Sequence, residues 1–384
     1  MSGDEDRDDQ PDRARVQLRE GQLSDGGTRF RLLPSIETFP ASTGDLHLLR
    51  PGEAGDLVVR GAEPGERALI RALAGQGGSL AELARATGAD PATVAARLDA
   101  LAQAGVLVTE DEPPVALAPR LRERFDRQLP YLGEHGDPGA AQLRLRGARV
   151  VVLGCGGLGT WALGALASTG IGRFVLIDDD RVELSNLNRQ VLYGERDVGR
   201  RKADCAAAWL HGFDPELEVT THRHRVTSAA ALAPMLEDVD VLVQTADRPA
   251  YAIVRWVDAA CRAAGVPYIL GGQRPPVLRV GPTFIPGRTA CFSCQETALA
   301  RAFPLYLELC AGRDERPPRS ITLGPASGIA GTLVALEVMH LLLGRDVPTA
   351  GRALLIDMRT LETRWEAVER LPDCPACHHP AGDA

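Results

Sequence analysis

The stretch from residue 150 to residue 202 constrains the fold more than any other part of the chain. It begins with an apolar run, Val150 to Leu153, and continues with four glycines, Gly154, Gly156, Gly157 and Gly159. A second apolar run, Phe174 to Ile177, ends on Asp178. This order predicts a strand, a glycine turn, a helix and a second strand, an arrangement that binds nucleotide phosphates. Glycines let backbone N–H groups approach a phosphate at a helix N-terminus, and an acid at a strand end suits a ribose hydroxyl.

A glycine turn by itself is weak evidence for a nucleotide site, but two later features of this stretch make the prediction more specific. The sequence S-N-L-N-R-Q occupies residues 185–190, and the only lysine among 43 basic residues is Lys202. Lysine carries a compact point charge that suits phosphates, whereas arginine carries a planar fork. The isolated Lys202 therefore predicts a phosphate contact that arginine does not replace.

Four of the eight cysteines form two C-x-x-C pairs, Cys291 with Cys294 and Cys374 with Cys377. In a reducing compartment this spacing is typical of tetrahedral structural zinc rather than of disulfides. Four thiolates fill the coordination sphere and leave no position for a catalytic water. The pattern therefore predicts structural Zn²⁺ that ties the C-terminal region to the middle of the chain.

The composition of the chain limits its function classes. Its 384 residues carry a net charge of −8, so no broad nucleic-acid surface is expected. The first residues are acidic and polar, which does not suit a signal peptide. The long apolar stretch from Ile321 to Leu343 contains Glu337 and His340, which favours a buried helix over a membrane span. These features predict a cytoplasmic protein with no membrane partner.

The sequence divides into four predicted parts. Residues 1–27 form a polar tail that is predicted to be disordered, and residues 111–121 form a proline-rich linker. Residues 28–110 are predicted to form a small α+β domain, and residues 122–384 an α/β domain with the zinc site.

The predicted small domain begins with three short apolar runs at residues 29–33, 46–49 and 57–59, interpreted as one antiparallel sheet. Residues 66–109 follow as three helices and a strand, with a capping box at Ser79 and Glu82. Asp90 and Pro91 mark the start of the third helix. This is the layout of a winged helix-turn-helix.

A winged helix binds DNA in some proteins and a peptide in others. Residues 66–109 contain four basic and four acidic residues, and the third helix has one arginine. DNA recognition requires an excess of cations, so the composition favours a peptide that adds a strand to the edge of the sheet and lays its side chains in a groove beside the third helix. A purely structural domain is the remaining alternative.

Beyond Lys202 the chain alternates between helices and strands. Helices are predicted at 202–211, 228–237, 250–264 and 326–343, and strands at 218–221, 239–244, 267–270, 277–280, 283–285, 353–357 and 362–367. A proline- and arginine-rich loop is predicted at 311–320. Asp178, Asp180 and Asp247 then lie at the carboxyl ends of parallel strands, where active groups of such sheets are found. The predicted fold class is therefore a Rossmann-like α/β domain.

Together these motifs resemble the ThiF/MoeB and ubiquitin-activating superfamily of carboxylate-adenylating enzymes. The resemblance rests on G-C-G-G-L-G at 154–159, D-D-D-R-V-E-L-S-N-L-N-R-Q at 178–190, V-G-R-R-K at 198–202, T-A-D at 245–247 and the two cysteine pairs. It covers roughly residues 122–379. The N-terminal winged-helix domain and the stretch 281–294 make the chain most similar to the branch that acts in microcin C biosynthesis.

The resemblance implies roles for individual residues. By this resemblance, Gly157 faces the nucleotide and Asp178 binds the ribose. Asp180 supports the residues that bind ATP. Contacts to the triphosphate of ATP are implied for Ser185, Asn186, Arg189 and Lys202. Asp247 is implied to hold Mg²⁺. Arg127, within R-F-D-R-Q, matches an arginine that the superfamily supplies from the partner subunit, which implies a homodimer.

The implied function is ATP-dependent adenylation of a carboxyl or amide group on a ribosomally synthesised peptide, guided by leader-peptide binding. A carboxylate is already ionised at neutral pH, so Arg127, Arg189, Lys202 and Asp247 with its Mg²⁺ are the implied catalytic set. The segment 316–324 has no cysteine where some members carry a thioester cysteine. Alternatives are activation of a ubiquitin-like sulfur carrier and a non-catalytic leader-peptide scaffold.

Overall fold

The computed structural model describes residues 27–50, 57–110, 114–316 and 321–377. The chain forms two compact units, residues 1–143 and residues 144–384. Of the predicted disordered tail, only residue 27 belongs to the described residues, and residues 111–113 of the predicted linker lie outside them. The domain boundaries drawn from the sequence stay predictions.

The first unit combines two small sheets with helices. Its strands are β1 (Arg29–Leu32), β2 (Glu37–Pro40), β3 (Leu46–Leu49), β4 (Leu57–Val59), β5 (Gly78–Ser79) and β6 (Leu107–Glu110). Its helices are α1 (Pro64–Ala74), α2 (Leu80–Thr87), α3 (Pro91–Gln103), α4 (Pro119–Arg124) and α5 (Leu129–Leu132). The order of three helices followed by a strand matches the predicted winged-helix layout.

The strand pairing in the first unit differs from the prediction at β1. Strands β2, β3 and β4 form one antiparallel sheet, whereas β1 lies between β5 and β6 in another. Phe30 and Leu32 of β1 are buried in the core of this unit. The predicted sheet of residues 29–33, 46–49 and 57–59 is therefore wrong in its first member, which β2 replaces. Strand β2 was not predicted from the sequence because its four residues are all exposed and show no alternation of apolar and polar residues.

The predicted helix starts in this unit are confirmed. Ser79 accepts a hydrogen bond from the backbone N–H of Glu82, whose carboxylate accepts one from the backbone N–H of Ser79. Asp90 accepts from the backbone N–H of Thr93 at 3.0 Å. Each such cap stabilises its helix by about 1 kcal/mol. The core joins the three helices through buried leucines, Leu73, Leu83 and Leu98.

The second unit is an α/β domain that begins within α6 (Pro138–Gly147). Its strands are β7 (Arg149–Leu153), β8 (Arg173–Ile177), β9 (Glu218–His222), β10 (Val241–Gln244), β11 (Tyr268–Arg274), β12 (Val277–Phe284), β13 (Arg352–Asp357) and β14 (Thr363–Ala367). Its helices are α7 (Gly157–Thr169), α8 (Lys202–Phe213), α9 (Ala229–Leu232), α10 (Ala252–Ala264), α11 (Phe292–Ala302), α12 (Tyr306–Glu315) and α13 (Gly324–Leu342).

Three details of this unit differ from the prediction. The two strands predicted at 277–280 and 283–285 form one strand, β12, because both parts pair with β11 and the chain passes Gly281, at φ +81°, as a bulge in that pairing. The helix predicted at 228–237 is the short α9 followed by a 3₁₀ turn at Ala233–Leu236, where Pro234 interrupts the α-helix. Helix α12 extends to Glu315 into the predicted loop, of which residues 317–320 lie outside the described part.

The sheet of the second unit has eight strands in the order β14-β13-β12-β11-β10-β7-β8-β9. Strands β11, β10, β7, β8 and β9 run parallel, and β12 to β14 are antiparallel. The residues Val150 to Leu153 of β7 are all buried, as the apolar run predicted. The predicted parallel α/β architecture is confirmed.

Helix α13 is the one helix of the described residues that is long and apolar enough to cross a membrane by length and composition. It packs on α7 and β11, and 61% of its apolar window is buried inside the fold. Its buried Glu337 accepts a hydrogen bond from the backbone N–H of Thr349 at 2.7 Å. The helix therefore forms part of the core of the second unit.

Candidate nucleotide site and zinc centre

The candidate site lies at the carboxyl ends of β7 and β10. Strands β8 and β9 extend the sheet on one side of β7, and β10 and β11 extend it on the other. In open parallel sheets, ligands bind in the crevice that this reversal creates. The backbone N–H of Thr245 donates to the carbonyl oxygen of Leu153 at 2.9 Å, which holds the segment after β10 against the segment after β7.

The glycine turn after β7 is too tight for side chains at two positions. Gly154 has φ +96°, and a Cβ there would lie 2.6 Å from the backbone nitrogen of Ala246. A Cβ on Gly159 would lie 2.0 Å from the carbonyl oxygen of Gly154. Gly156 is the N-cap of α7, which has no side-chain cap. The start of α7 therefore has no N-cap side chain on its first N–H groups, and such a helix start is a suitable site for an anion.

Asp178 lies at the carboxyl end of β8 beside this turn. Its carboxylate accepts hydrogen bonds from the backbone N–H groups of Cys155 at 2.7 Å and Asp180 at 2.8 Å. Burial raises the pKa of Asp178 above its usual range, while the charge of Lys202 and the two backbone donors act in the opposite direction. The carboxylate is thus fixed in orientation at the edge of the crevice.

Lys202 is the first residue of α8, and its side chain extends to Asp180, two residues after Asp178. Its side chain is 8% exposed, and its Nζ lies 2.9 Å from the carboxylate of Asp180. The backbone N–H of Lys202 also donates to the carbonyl oxygen of Asp180 at 3.0 Å. The hydroxyl of Tyr193 donates to the carbonyl oxygens of Cys155 and Lys202 at 2.8 and 3.3 Å, respectively. Tyr193, which the sequence did not single out, therefore joins the glycine turn to α8.

The segment 185–190 folds as a turn beside α7. The side chain of the buried Asn186 accepts from the backbone N–H of Glu183 at 3.1 Å, and Ser185 is exposed. The guanidinium of Arg189 donates to the carbonyl oxygen of Ser185 at 3.0 Å and to the side-chain oxygen of Asn188 at 2.9 Å. These bonds hold the arginine in one orientation on its own turn.

Gln190 and Trp161 are two further polar side chains of this region that sequence reasoning missed. The carbonyl oxygen of the Gln190 side chain is buried with no hydrogen-bond partner among the described residues. The indole N–H of Trp161 donates to the backbone carbonyl of Arg189 at 3.1 Å. No sequence signal distinguished Trp161 from an ordinary core residue of α7.

Asp247 lies in the segment after β10. The side chain of the buried Gln244 braces this segment, because its amide donates to the carbonyl oxygen of Ala246 at 3.0 Å and accepts from the backbone N–H of Ala246 at 2.7 Å. The hydroxyl of Thr245 donates to the carbonyl oxygen of Gly154 at 2.6 Å. Asp247 itself is exposed at the crevice, and an exposed carboxylate is a suitable ligand for Mg²⁺.

Arg127 is the one predicted site residue that belongs to the first unit. It lies between α4 and α5, its side chain is 99% exposed, and its Nε lies 3.8 Å from the carboxylate of Asp126. The other predicted site residues all lie in the second unit.

The two cysteine pairs meet in one cluster. The Sγ atoms of Cys291, Cys294, Cys374 and Cys377 all lie within 4.8 Å of one another. Neighbouring Sγ atoms are 3.8, 3.6 and 3.4 Å apart. Zinc bonds of about 2.3 Å in a tetrahedron place sulfur atoms about 3.8 Å apart, so the cluster fits the ion.

An ion pair on α10, between the buried Asp258 and the partly buried Arg262, contacts both cysteine pairs. Asp258 is 1% exposed and accepts from the backbone N–H of Phe292 at 3.1 Å, from Arg262 at 3.0 Å and from the hydroxyl of Tyr268 at 2.9 Å. Arg262 donates in turn to the carbonyl oxygen of Ala376 at 2.6 Å. Phe292 and Ala376 each lie between the two cysteines of a pair, so α10 fixes the geometry of both.

The fold defines a Rossmann-like α/β protein with a glycine turn at the reversal point of its sheet and a four-cysteine cluster that fits a zinc ion. Residues 125–377 match the model of the ThiF family, and the chain belongs to this family.

Several curated relatives are similar to this chain. The SAMP-activating enzyme E1 of Haloferax volcanii is 33% identical over 261 residues, which cover 66% of this chain and 88% of that protein. The sulfur carrier protein adenylyltransferase of Thermus thermophilus is 35% identical over 264 residues, which cover 66% of this chain and 90% of that protein. The chain spans about half the length, 55%, of the adenylyltransferase and sulfurtransferase MOCS3 of Culex quinquefasciatus, to which it is 33% identical.

Among solved structures the fold is similar to that of E. coli MccB. One MccB structure has a TM-score of 0.72 at 22% identity and covers 93% of this chain and 98% of MccB. MccB with ATP has a TM-score of 0.69 at 23% identity, covering 91% of this chain and 99% of that one. PaaA has a TM-score of 0.66 at 24% identity, covering 88% of this chain and 99% of that one. These structures cover 88–93% of this chain, which is more than residues 125–377 alone provide. The similarity in fold therefore extends into the first unit.

Proposed function

We propose that this protein is an ATP-dependent adenylyltransferase that activates a carboxyl or amide group of a ribosomally synthesised peptide. The observation that carries the proposal is the convergence of a glycine turn, Asp178, Lys202 and Asp247 at the reversal point of the parallel sheet. Relatives that are named adenylyltransferases support this activity.

The geometry supports a division of roles along the crevice. The glycine turn and the uncapped start of α7 receive the phosphates, with Gly154, Gly156, Gly157 and Gly159 keeping side chains away from them. Asp178 accepts from the ribose hydroxyls, because its carboxylate is already oriented by two backbone donors. Lys202, held by Asp180, and Arg189, with Ser185 and Asn186 beside it, contact the triphosphate.

The reaction joins two anions. A carboxylate oxygen of the substrate attacks the α-phosphorus of ATP, the bond to the bridging oxygen breaks, and pyrophosphate leaves with the electron pair. Lys202 and Arg189 stabilise the negative charge that gathers on the phosphate oxygens. Asp247 would hold Mg²⁺, which supplies further positive charge when bound. No general base is needed for a substrate that is already ionised at pH 7.

We also propose that Arg127 completes the site of a partner subunit in a homodimer. Its guanidinium is fully exposed and its only ion-pair partner among the described residues is the neighbouring Asp126 at 3.8 Å, so it is available to an external anion. The cationic fork of arginine suits a phosphate supplied in this way.

The first unit is proposed to bind the leader part of the peptide. Strands β2 and β4 are the edges of their sheet, and an extended peptide binds by adding a strand to such an edge. The four basic residues in 66–109 are balanced by four acidic ones, and Arg97 of α3 is paired with Glu66 at 3.3 Å. Structures of E. coli MccB have been solved in complex with MccA, so a binding partner of that protein is known, and this supports the proposal for the first unit.

Activation of a ubiquitin-like sulfur carrier is the second candidate, because two relatives at 34–35% identity are named as adenylyltransferases of a sulfur carrier protein. A non-catalytic leader-peptide scaffold is a third candidate, which the complete set of nucleotide-site residues argues against. The predicted structural Zn²⁺ and the cytoplasmic location belong to the same proposal.

An ATP–pyrophosphate exchange assay separates these candidates. The purified chain is incubated with labelled pyrophosphate, ATP and either synthetic precursor peptides or a sulfur carrier that ends in Gly-Gly. Exchange stimulated by a peptide supports the first candidate, and exchange stimulated by the carrier supports the second. ATP binding without exchange in any arm supports the scaffold and refutes the adenylyltransferase.

A further inference from the structure

Gln273, near the end of β11, uses both ends of its side-chain amide. Its Nε2 donates to the hydroxyl oxygen of Ser327 at 2.5 Å, and its Oε1 accepts from the backbone N–H of Leu323 at 3.1 Å. Leu323 is the N-cap of α13, and this helix start has no side-chain cap of its own. The side chain of Gln273 therefore fixes the first turn of α13 to β11.

Ser327 carries this contact to the glycine turn. The serine is fully buried, and its hydroxyl oxygen lies 3.0 Å from the position that a Cβ on Gly157 would occupy. The Cγ and Cδ atoms of Arg189 lie 3.3 Å from the same position. Gly157, Ser327 and the aliphatic part of Arg189 thus form one packed contact.

Other residues at the start of α13 hold the backbone of this arginine. A Cβ on Gly324 would lie 2.6 Å from the carbonyl oxygen of Asn188. The ring of Trp161 lies 3.4 Å from the position of a Cβ on Gly328, and its N–H donates to the carbonyl oxygen of Arg189. Close helix packing of this kind transmits displacements, because a dense interior leaves no space to absorb them.

The position of β11 gives this linkage a functional meaning. Asp178 places the ribose over β8, on one side of the glycine turn, whereas β10 and β11 lie on the other side. Since the ribose fills the β8 side of the α-phosphate, the space for an acceptor that attacks in line with the leaving pyrophosphate lies over β10 and β11. Gln273 links the strand on that side to the arginine and the turn that hold the phosphates.

We propose that Gln273 is a positioning residue that, through Ser327, keeps Arg189 and the glycine turn aligned with the attacking carboxyl group. This inference rests on the proposed adenylyltransferase function. In this role Gln273 acts through its hydrogen bonds to Ser327 and Leu323. It determines where the phosphate-binding groups lie relative to the strand over which the acceptor arrives.

Two substitutions test the role of Gln273 by separating kcat from KM. Gln273→Ala removes both hydrogen bonds, so Arg189 loses its alignment in the transition state, and we expect kcat of exchange to fall about tenfold with little change in KM for ATP. Gln273→Glu still accepts from Leu323 and from the hydroxyl of Ser327, so kcat recovers to within about threefold of the wild type. The added negative charge behind the phosphate turn raises KM for ATP about fivefold.

The control pair is Gln76→Ala and Gln76→Glu, which make the same changes at an exposed position of the first unit. Melting temperature is measured for all four variants. Activity that only follows the folded fraction, with KM for ATP unchanged in both Gln273 variants, would overturn the inference. So would a kcat of Gln273→Ala within twofold of the wild type. An inactive wild-type chain would refute the adenylylation itself, and this inference with it.

Discussion

Replacing Lys202 with methionine tests the nucleotide site most directly. The substitution removes a cation whose side chain is 8% exposed and keeps an apolar stem of similar length. Its partner Asp180 is 58% exposed, so water replaces the lost ion pair, which contributes about 0.5 kcal/mol. The free energy of unfolding should therefore change by less than about 1 kcal/mol, and the melting temperature by less than about 4 °C.

The effect on activity should be much larger than the effect on stability. A unit charge about 4 Å from a phosphate oxygen, at an effective dielectric constant near 20, contributes about 4 kcal/mol. Removing one donor that stabilises transition-state charge commonly lowers kcat by about 10²–10³. We expect Lys202→Met to lower the rate of ATP–pyrophosphate exchange by about 100- to 1000-fold. Lys202→Arg restores the charge in a bulkier group and should recover only part of the rate.

The same substitution should move the pH dependence of ATP binding. Burial raises the pKa of Asp178, and the charge of Lys202 opposes that rise. Since the folded-state pKa exceeds the ordinary value of 3.8, Asp178 favours folding below that value, and this contribution is lost as the pH rises through the folded-state pKa. Without Lys202 the folded-state pKa rises further, so the ionised form needed by the ribose appears at higher pH.

Calorimetric titration of ATP between pH 4 and 8 measures this shift, and the acidic limb of binding should move to higher pH in Lys202→Met. A variant that keeps more than about one tenth of the exchange rate, with an unchanged melting temperature, would refute the electrostatic reasoning. An unmoved acidic limb would refute the link between Lys202 and Asp178.

Three further outcomes are expected. Asp258→Asn weakens the hydrogen bonds that connect α10 to the cysteine pairs. A chelator should therefore remove zinc about 10- to 100-fold faster than from the wild type, measured with a zinc-sensitive dye. An unchanged rate would contradict the role of Asp258. Gly154→Ala combines φ +96° with a Cβ contact of 2.6 Å and should lower the free energy of unfolding by about 2–4 kcal/mol in urea titrations. The control Gly156→Ala places its Cβ in ordinary contact, 4.0 Å from the side-chain nitrogen of Gln190, and should cost less than about 1 kcal/mol. Mixing Arg127→Ala with Lys202→Met chains should restore exchange through hybrid dimers with one intact site, and no restoration would argue against an arginine supplied by the partner.

The sequence was most informative where a residue type is chemically irreplaceable. Gly154 and Gly159 have no space for a side chain, and the cysteine spacing at 291–294 is typical of a metal-binding knuckle. The glycine turn and the cysteine cluster could therefore be predicted from the sequence. Apolar runs such as residues 150–153 are buried on both sides of a parallel sheet, and this burial leaves a continuous hydrophobic signal.

Residues that act through long-range contacts left no such signal. Asp258 and Arg262 are four positions apart on α10 and resemble an ordinary surface pair, yet the aspartate is 1% exposed and joins segments that are distant in sequence. Gln273 and Ser327 meet across 54 positions, and neither type of side chain indicates a partner by itself. The partner of β1 was missed for the same reason, because strand pairing depends on the whole unit rather than on neighbouring runs.

The four-cysteine cluster also governs the order in which the second unit is completed. Cys291 contacts Cys374, and Cys294 contacts Cys377, each across 83 positions of the chain. Closing a loop of this length in the unfolded chain costs about 4 kcal/mol in entropy, which metal binding offsets. The cluster cannot close until residue 377 has been synthesised, well after β7 to β10 and the glycine turn. Zinc bound at the cluster would therefore join the segment after β14 to the start of α11 only after the strands of the candidate nucleotide site have been synthesised.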